Sequence, residues 1–335
     1  MTAEGTIERS VIVPVYGNRD SIGAVIERLQ ALDDGRSRVE AVFVVDGSPD
    51  DSLDVLRREL ASGRLRAHIV SLSRNFGSFS AIRAGLRVAC GDNCAVMAAD
   101  LQEPPEVVVS IFEALESGDY DIALGERIGR ADPALSALAS RLYWSMYRRF
   151  VCHDMPPGGI DVFGCTKPIA RQIAAFPETH TSLIGLLFWL GYRRTFVPYA
   201  RAPRHSGTSA WTIGRKVRYL FDSVYAFTDL PIVLLQLIGM VGVVASILLG
   251  LIVLIGWIVG AVTQPGYTPL MITILASTSA LLLGLGVVGS YVWRAYENGK
   301  GRPTELVALH ERYGGDASRG DGEPMATEPA AQVRR

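Results

Sequence analysis

The feature that most constrains this fold is an uncharged stretch between Asp229 and Arg294, which contains no Asp, Glu, Lys, Arg or His. About 20 consecutive apolar residues in a helix cross the hydrocarbon core of a bilayer, so the stretch has room for two spans. Its segment 263–269, TQPGYTP, contains two prolines and a glycine, which disfavour one continuous helix. We therefore expect two transmembrane helices, near 232–260 and 268–293, rather than a buried hairpin in a soluble core.

The residues that flank this stretch predict its orientation. Basic residues precede the first span and follow the second, whereas the short hairpin loop carries no charge; they are Arg215, Lys216, Arg218, Arg294, Lys300 and Arg302. Because short cytoplasmic segments are enriched in Lys and Arg, both termini are expected in the cytoplasm. The first ten residues lack the features of a signal peptide. We expect a multi-pass protein of the cell inner (plasma) membrane, with the bulk of the chain cytoplasmic.

The first part of the chain alternates short apolar runs with helical periodicity. The runs at 11–16, 39–46, 67–72, 94–100 and 120–125 predict strands, and the segments at 21–32, 52–62, 78–89 and 106–117 predict helices. This order predicts an α/β fold with a mostly parallel sheet and helices on both faces. Ligands of such sheets bind outside the carboxyl ends of the strands.

Two predicted strands end at acidic residues. Asp46, in VVDGSPDDS, could accept hydrogen bonds from a base or ribose, or could belong to an ordinary turn. Asp100 and Gln102, in ADLQEPPE, offer a carboxylate and an amide oxygen on the loop after a strand. Such oxygen ligands suit Mg²⁺ or Mn²⁺, although the short motif taken alone is more typical of a polar strand-to-helix turn.

Further polar residues follow the predicted sheet. Arg127 and Arg130 lie in GERIGR, Asp161 lies on a short strand after two glycines, and Arg204 and Ser209 lie in RAPRHSGTSAW. A helix predicted at 134–151 interleaves basic and aromatic residues, which suits either a lipid headgroup surface or packing on the domain. The four cysteines have no metal-binding spacing, and we expect them to be reduced packing residues.

The ordered motifs VPVYGN, VVDGSPDDS, LSRNFGSFSAIRAGL, ADLQEPPE, GERIGR, GGIDVF and RAPRHSGTSAW, followed by two apolar stretches, resemble glycosyltransferase family 2. The likeness is to its polyprenyl-phosphate glycosyltransferases and implies a GT-A fold. The implied nucleotide pocket contains Pro14, Tyr16 and Asp46, and the implied ligands of the metal and diphosphate are Asp100 and Gln102. The implied phosphate-binding residues are Arg127, Arg130, Arg204 and Ser209, and Asp161 would lie beneath the sugar or acceptor.

The chain departs from this family pattern at two positions. The family reads Asp-x-Asp-Leu-Gln where this chain has Ala98 in the first acidic position, and Val45 replaces the first residue of a common Asp pair. The two losses leave three alternatives open: a weaker metal site completed by water and diphosphate oxygens, an altered sugar-nucleotide preference, or a protein that binds without turnover.

The resemblance implies an inverting transfer of a sugar from UDP-glucose, or a related UDP- or GDP-hexose, to a polyprenyl phosphate for cell-envelope glycan assembly. The alternative is a catalytically weakened, membrane-anchored protein that binds sugar nucleotide or lipid phosphate. We expect a GT-A-like domain at 1–212, an amphipathic interface helix at 213–230, a transmembrane hairpin at 231–293 and a cytoplasmic tail at 294–335, disordered from about 314. A lipid bilayer is an expected partner and nucleic acid is not. Assembly into a homo-oligomer stays open.

Overall fold

The protein is described from a computed structural model. It defines residues 7–33, 38–128, 145, 147–149, 152, 154–156, 159–176, 182–200, 224–225, 228, 230–259 and 267–314. For some residues inside the two longest helices only the backbone is described.

The described elements form one eight-stranded sheet with flanking helices. The strands are β1 (Arg9–Val15), β2 (Val39–Val45), β3 (Arg66–Leu72), β4 (Asn93–Val96), β5 (Ile122–Arg127), β6 (Ile160–Thr166), β7 (Arg194–Tyr199) and β8 (Val307–Tyr313). The helices are α1 (Ile22–Ala31), α2 (Ser52–Leu60), α3 (Ser78–Val88), α4 (Pro105–Glu116), α5 (Lys167–Ala175), α6 (Leu183–Trp189), α7 (Leu230–Ile258) and α8 (Tyr267–Gly299). The predicted α/β class is confirmed.

The strand order is β7-β5-β6-β4-β1-β2-β3-β8. Pairs β1–β2, β2–β3, β1–β4 and β5–β7 are parallel, whereas β6 and β8 run antiparallel to their neighbours. The mostly parallel sheet is therefore confirmed. Because β6 runs in the opposite direction, its first residues lie at the same edge of the sheet as the carboxyl ends of β4 and β5.

Alternating side chains of the central strands fill two hydrophobic cores, one on each face. Val11, Val13 and Val15 of β1 pack with buried residues of α1, α2 and α4, whereas Ile12 packs with buried residues of α3, α5 and α6. Strands covered on both faces carry nearly continuous apolar runs, as in VEAVFVV of β2. This double covering explains why the sequence pattern identified these strands.

Helices α7 and α8 lie where the sequence predicts two membrane spans. The side chains of these two helices are described only in part. Among the described residues, no helix is long and apolar enough to cross a membrane. The two transmembrane spans are therefore not supported by the described structure and stay a prediction.

The helix predicted at 134–151 lies largely outside the described residues. Its described residue Tyr147 is helical and fully buried, and its hydroxyl lies 3.2 Å from the Ser182 hydroxyl. Packing on the domain, rather than contact with lipid, accounts for this aromatic side chain.

Strand β8 was not predicted from the sequence, which treated 294–335 as a tail. It forms an edge of the sheet by pairing antiparallel with β3. Arg57 of α2 binds Glu311 of β8 at 2.8 Å, and the Ser73 amide donates to the Leu306 carbonyl at 2.9 Å. Just before β8, the buried Glu305 forms an ion pair with Arg87. The sheet domain therefore includes a segment that follows both long helices.

A row of interacting polar side chains runs across β1, β2, β3 and β8. The fully buried Glu40 accepts hydrogen bonds from the Ser10 hydroxyl and the Cys90 amide, each at 2.6 Å. Its other oxygen lies 3.6 Å from His68 Nε2, and His68 Nδ1 lies 2.9 Å from His310 Nε2. Burial lowers the pKa of His68 to about 4, and burial together with the nearby Arg312 guanidinium lowers the pKa of His310.

We predict that removing residues 305–335 destabilises the sheet domain, whereas removing 315–335 does not. The longer deletion exposes the edge of β3 and removes the carboxylates that bind Arg57 and Arg87. A loss of about 2 kcal/mol, or about 4–8 °C in melting temperature for a domain of this size, is expected by thermal unfolding. Equal melting temperatures for the two deletions would show that β8 contributes nothing to stability.

The histidine pair predicts a pH dependence of stability. Because the folded-state pKa of His68 lies below its ordinary value of 6.5, the folded chain binds this proton less tightly than the unfolded chain. Stability should be full above about pH 6.5 and fall by on the order of 1–3 kcal/mol as pH approaches 4. Denaturant midpoints across this range should fall more steeply for wild type than for a His68→Gln, His310→Gln double variant. Parallel curves would contradict the assignment.

Candidate active site

The strand order places the ligand crevice expected of an open α/β sheet at the carboxyl edge between β1 and β4. The chain leaves β1 toward β2 on one side and returns to β4 on the other, so the strand order reverses at β1. Pairing of β1 with β4 ends at Ile12–Val96, whereas pairing of β1 with β2 continues to Val15–Val45. Open α/β sheets bind ligands at such a switch point.

Pro14 borders this crevice without disturbing the sheet. The Met97 amide donates to the Ile12 carbonyl at 3.0 Å, and alternate residues of a strand direct their backbone groups to the same side. Pro14 therefore faces the β4 side, just beyond the last bond of that ladder. A residue without an N–H group removes no sheet hydrogen bond there.

The loops after β1 and β2 are joined by a small hydrogen-bond network. The Gly17 amide donates to the Ser48 hydroxyl at 2.8 Å, and that hydroxyl donates to Asp50 at 2.6 Å. Asp50 also accepts from the Ser52 hydroxyl at 2.6 Å. Burial opposes ionisation of Asp50, but these hydrogen bonds prevail and lower its pKa. The network holds the loop that presents Tyr16, whose side chain is 45% exposed.

Asp46 joins the end of β2 to the start of α3. One carboxylate oxygen accepts from the Phe76 amide at 2.7 Å and the other from the Gly77 amide at 2.8 Å. The residue is 3% exposed, and burial raises its pKa against the effect of these two bonds. Gly47 lets the loops meet, because a Cβ at its φ of +57° would lie 2.3 Å from the Asn75 nitrogen. Both oxygens of Asp46 thus serve the local fold, and its predicted contact with a nucleotide stays a prediction.

The loop that carries Asp100 is pinned in a strained conformation. Leu101 is buried and has a φ of +61°, the left-handed region that a leucine seldom adopts. The Ser21 hydroxyl donates to the Ala99 carbonyl at 2.6 Å, and the Arg28 guanidinium donates to the Leu101 carbonyl at 3.3 Å. These contacts with α1 and the residue before it hold the turn in place, and such strain is common at functional sites.

Asp100 and Gln102 lie on this pinned turn, after the end of β4. Asp100 is half-buried, and its Oδ1 accepts a hydrogen bond from the backbone N–H group of Gln102 at 3.3 Å. A carboxylate and an amide oxygen form a donor set that suits Mg²⁺ or Mn²⁺. The described residues contain no group of three His, Cys, Asp or Glu side chains arranged to hold a metal ion. The set therefore fits a cation only if diphosphate oxygens and water complete its coordination.

A second polar cluster lies where β5, β6 and β7 meet the same edge. Asp161 forms an ion pair with Arg127 and accepts a hydrogen bond from the Tyr199 hydroxyl at 3.3 Å. The structure thus brings together Asp161 and Arg127, both predicted from the sequence. Tyr199 was missed, because only its place in the apolar run FVPY distinguishes it.

Asp161 lies on the strand that neighbours β4. In the antiparallel pair of β4 and β6, the last paired residues at this edge are Val96 and Phe163. Asp161 comes two residues before Phe163, and Ala98, where the family pattern has its first Asp, comes two residues after Val96, so both lie beyond this pair at the same edge of the sheet. The predicted residues Arg130, Arg204 and Ser209 lie outside the described residues, so their roles stay predictions.

Comparisons with known proteins identify the family of this chain. The pattern of the family Glycosyl transferase family 2 matches residues 10–173. An uncharacterized glycosyltransferase of Synechocystis is 32% identical over 305 residues, which covers 90% of this chain and 95% of that protein. A prophage bactoprenol glucosyl transferase homolog of Escherichia coli is 26% identical, covering 89% of this chain and 97% of that protein. An undecaprenyl-phosphate 4-deoxy-4-formamido-L-arabinose transferase of Serratia proteamaculans is 29% identical, covering 89% and 92%. The chain belongs to glycosyltransferase family 2 and is a glycosyltransferase.

Proposed function

We propose that this protein transfers a hexose from a nucleotide sugar to a polyprenyl phosphate, for cell-envelope glycan assembly. The main support is the turn with Asp100 and Gln102, which lies at the switch point of the sheet. In addition, relatives named for bactoprenol or undecaprenyl phosphate match this chain along almost their whole length. Those relatives are named for different sugars. UDP-glucose, or a related UDP- or GDP-hexose, is our proposed donor.

The crevice between β1 and β4 supplies the proposed donor site. Pro14 and the exposed Tyr16 border it on one side, and the pinned loop of Asp100 borders it on the other. A nucleotide lying across the carboxyl ends of these strands would direct its diphosphate toward Asp100 and Gln102. This placement follows the general rule for open α/β sheets.

A divalent cation, Mg²⁺ or Mn²⁺, is the proposed cofactor, and Asp100 and Gln102 would hold it. When bound, such an ion neutralises charge on the departing diphosphate. Position 98 contributes no carboxylate, so metal and nucleotide should bind together. Asp161 lies on the strand opposite and is held by Arg127 and Tyr199.

The proposed acceptor is a strong nucleophile at neutral pH. A phosphate monoester has a second pKa of about 6, so its head is largely dianionic and needs no strong base. One of its oxygens attacks the anomeric carbon, the bond to the nucleoside diphosphate breaks, and the configuration inverts. Arg127, with Arg130 and Arg204 as predicted partners, would stabilise phosphate charge through planar guanidinium forks.

We also propose that α7 and α8 anchor the protein in the inner (plasma) membrane, with the sheet domain in the cytoplasm. The stretch between Asp229 and Arg294 contains no charged residue. Large apolar side chains on both helices are exposed, among them Met240 at 68% and Leu281 at 75%. Extended exposed apolar surface marks a contact with lipid or protein. Tyr225, before α7, packs against Tyr291 of α8 with ring centres 5.1 Å apart. The segment before α7 therefore lies beside the last part of α8.

A protein that binds these ligands without turnover is the second candidate, and Ala98 favours it. Purified protein should convert a polyprenyl phosphate to a glycolipid with one member of a panel of UDP-, GDP- and dTDP-sugars. Binding of sugar nucleotide without product under every metal condition would instead establish the second candidate.

We predict that Asp100→Asn lowers turnover by about 10²–10³-fold while leaving the protein folded. Asparagine keeps an oxygen that can accept from the Gln102 backbone N–H group, so the substitution removes the negative charge and retains this bond of the turn. Turnover and melting temperature should be compared with Asp119→Asn, which removes an exposed carboxylate elsewhere. Near-normal turnover of Asp100→Asn at every metal concentration would refute the role of Asp100 as metal carboxylate.

A further prediction concerns the position of Ala98. Wild type should bind Mg²⁺ or Mn²⁺ weakly alone and more tightly with sugar nucleotide, and by linkage the metal should tighten nucleotide binding by the same factor. Ala98→Asp adds an oxygen ligand and should raise affinity for the free cation about tenfold. Calorimetric titration of both proteins, with and without nucleotide, measures these affinities. Tight metal binding by wild type alone, unchanged by the substitution, would place position 98 outside the site.

A further inference from the structure

A cavity of about 270 Å³ lies between α3 and the segment that follows α8. Its lining includes three arginines and two glutamates, namely Arg83, Arg87, Arg302, Glu297 and Glu305. None of the crevice residues lines it. The cavity is therefore separate from the proposed site of transfer.

The lining carries a net positive charge. Arg83 and Arg87 lie four residues apart on α3, and Arg83 is only 2% exposed, with its guanidinium 5.5 Å from the centre of the Phe79 ring. Each lining carboxylate already binds a cation, because Glu305 pairs with Arg87 and Glu297 pairs with Lys300. Arg87 is held by Glu305 and by the Ala174 carbonyl, so the excess positive charge of the lining comes from Arg83 and Arg302. Such a lining suits an anion, and arginine binds phosphate through two parallel hydrogen bonds.

Two exposed aromatic residues of α8 come just before its cavity-lining residues along the chain. Trp293 and Tyr296 are 57% and 60% exposed, and Lys300 lies 4.4 Å from the centre of the Tyr296 ring. Exposed Trp and Tyr side chains are enriched at the level of lipid headgroups. Glu297, the first cavity residue of α8, follows directly. If α8 spans a bilayer, as the proposed function requires, the cavity lies at headgroup depth.

We propose that this cavity binds the phosphate-bearing headgroup of an anionic membrane lipid, outside the site of sugar transfer. Basic cavities at the cytoplasmic end of membrane helices bind such headgroups. The lining residues 301–305 lead into β8, and the Ser80 hydroxyl of α3 donates to the Thr304 carbonyl at 3.1 Å. A bound headgroup would thus fix the sheet domain against the membrane surface through α3 and β8.

The test counts lipids bound to the full-length protein in neutral detergent by native mass spectrometry, without nucleotide. Phosphatidylglycerol should bind, and phosphatidylcholine should not compete. Arg302→Gln removes an exposed cavity cation, and its affinity should fall about fivefold, the effect of one basic residue near an anionic headgroup. Arg58→Gln, an exposed arginine of α2 away from the cavity, should bind as wild type does. Arg83→Gln, where it folds, should weaken binding further.

Two further probes identify the source of the anion. If polyprenyl phosphate binds and Arg302→Gln weakens it to the same extent, the result supports a lipid phosphate in this cavity. If inorganic phosphate binds there and neither lipid does, the lipid assignment is overturned. Equal binding by Arg302→Gln and Arg58→Gln would overturn the site. Because no donor is present, loss of transfer cannot produce these results. Conversely, a protein that binds phosphatidylglycerol yet makes no glycolipid would refute only the proposed function.

Discussion

The site depends on the early end of pairing between β1 and β4. These strands stay paired only as far as Ile12 and Val96, while β1 continues beside β2 to Val15. This end of pairing lies at the switch point of the sheet, where ligands of open α/β sheets bind, and Pro14 lies just beyond it, where no ladder bond needs its missing N–H group. The loop after β4 is then free of the sheet, so contacts from Ser21 and Arg28 set its shape instead. The presentation of Asp100 and Gln102 follows from this one break in the ladder.

Much of the fold could be predicted because the central strands are buried on both faces, and their apolar runs are interrupted by helical periodicity. Strand β8 could not, because VALHERY alternates weakly and pairs with a strand that lies far away along the chain. At the site, Asp100, Arg127 and Asp161 were identifiable from residue type and motif order. The left-handed Leu101 and the contact of Tyr199 with Asp161 carry no local signal, since tertiary contacts impose them. Asp46 fits a turn and a binding residue equally well in sequence, and only the structure shows its two bonds to the start of α3.

Although Ala98 supplies no carboxylate, the same edge of the sheet has an acidic residue on the strand next to β4. This residue is Asp161 of β6, which binds Arg127 and Tyr199. The edge therefore keeps fewer carboxylates than the family pattern but retains an ordered acidic group. We therefore propose that a cation would bind together with the nucleotide, whose diphosphate oxygens would add to the ligands that Asp100 and Gln102 offer.

We propose that the crevice between β1 and β4 receives the sugar nucleotide, and hydrogen exchange of the full-length protein, with and without UDP-glucose and Mn²⁺, can locate the binding site. Exchange should slow at residues 16–19 and 98–103 when the ligands bind, with no change at 301–305, where the separate cavity lies. Binding of the nucleotide with unchanged exchange at both crevice loops would contradict it.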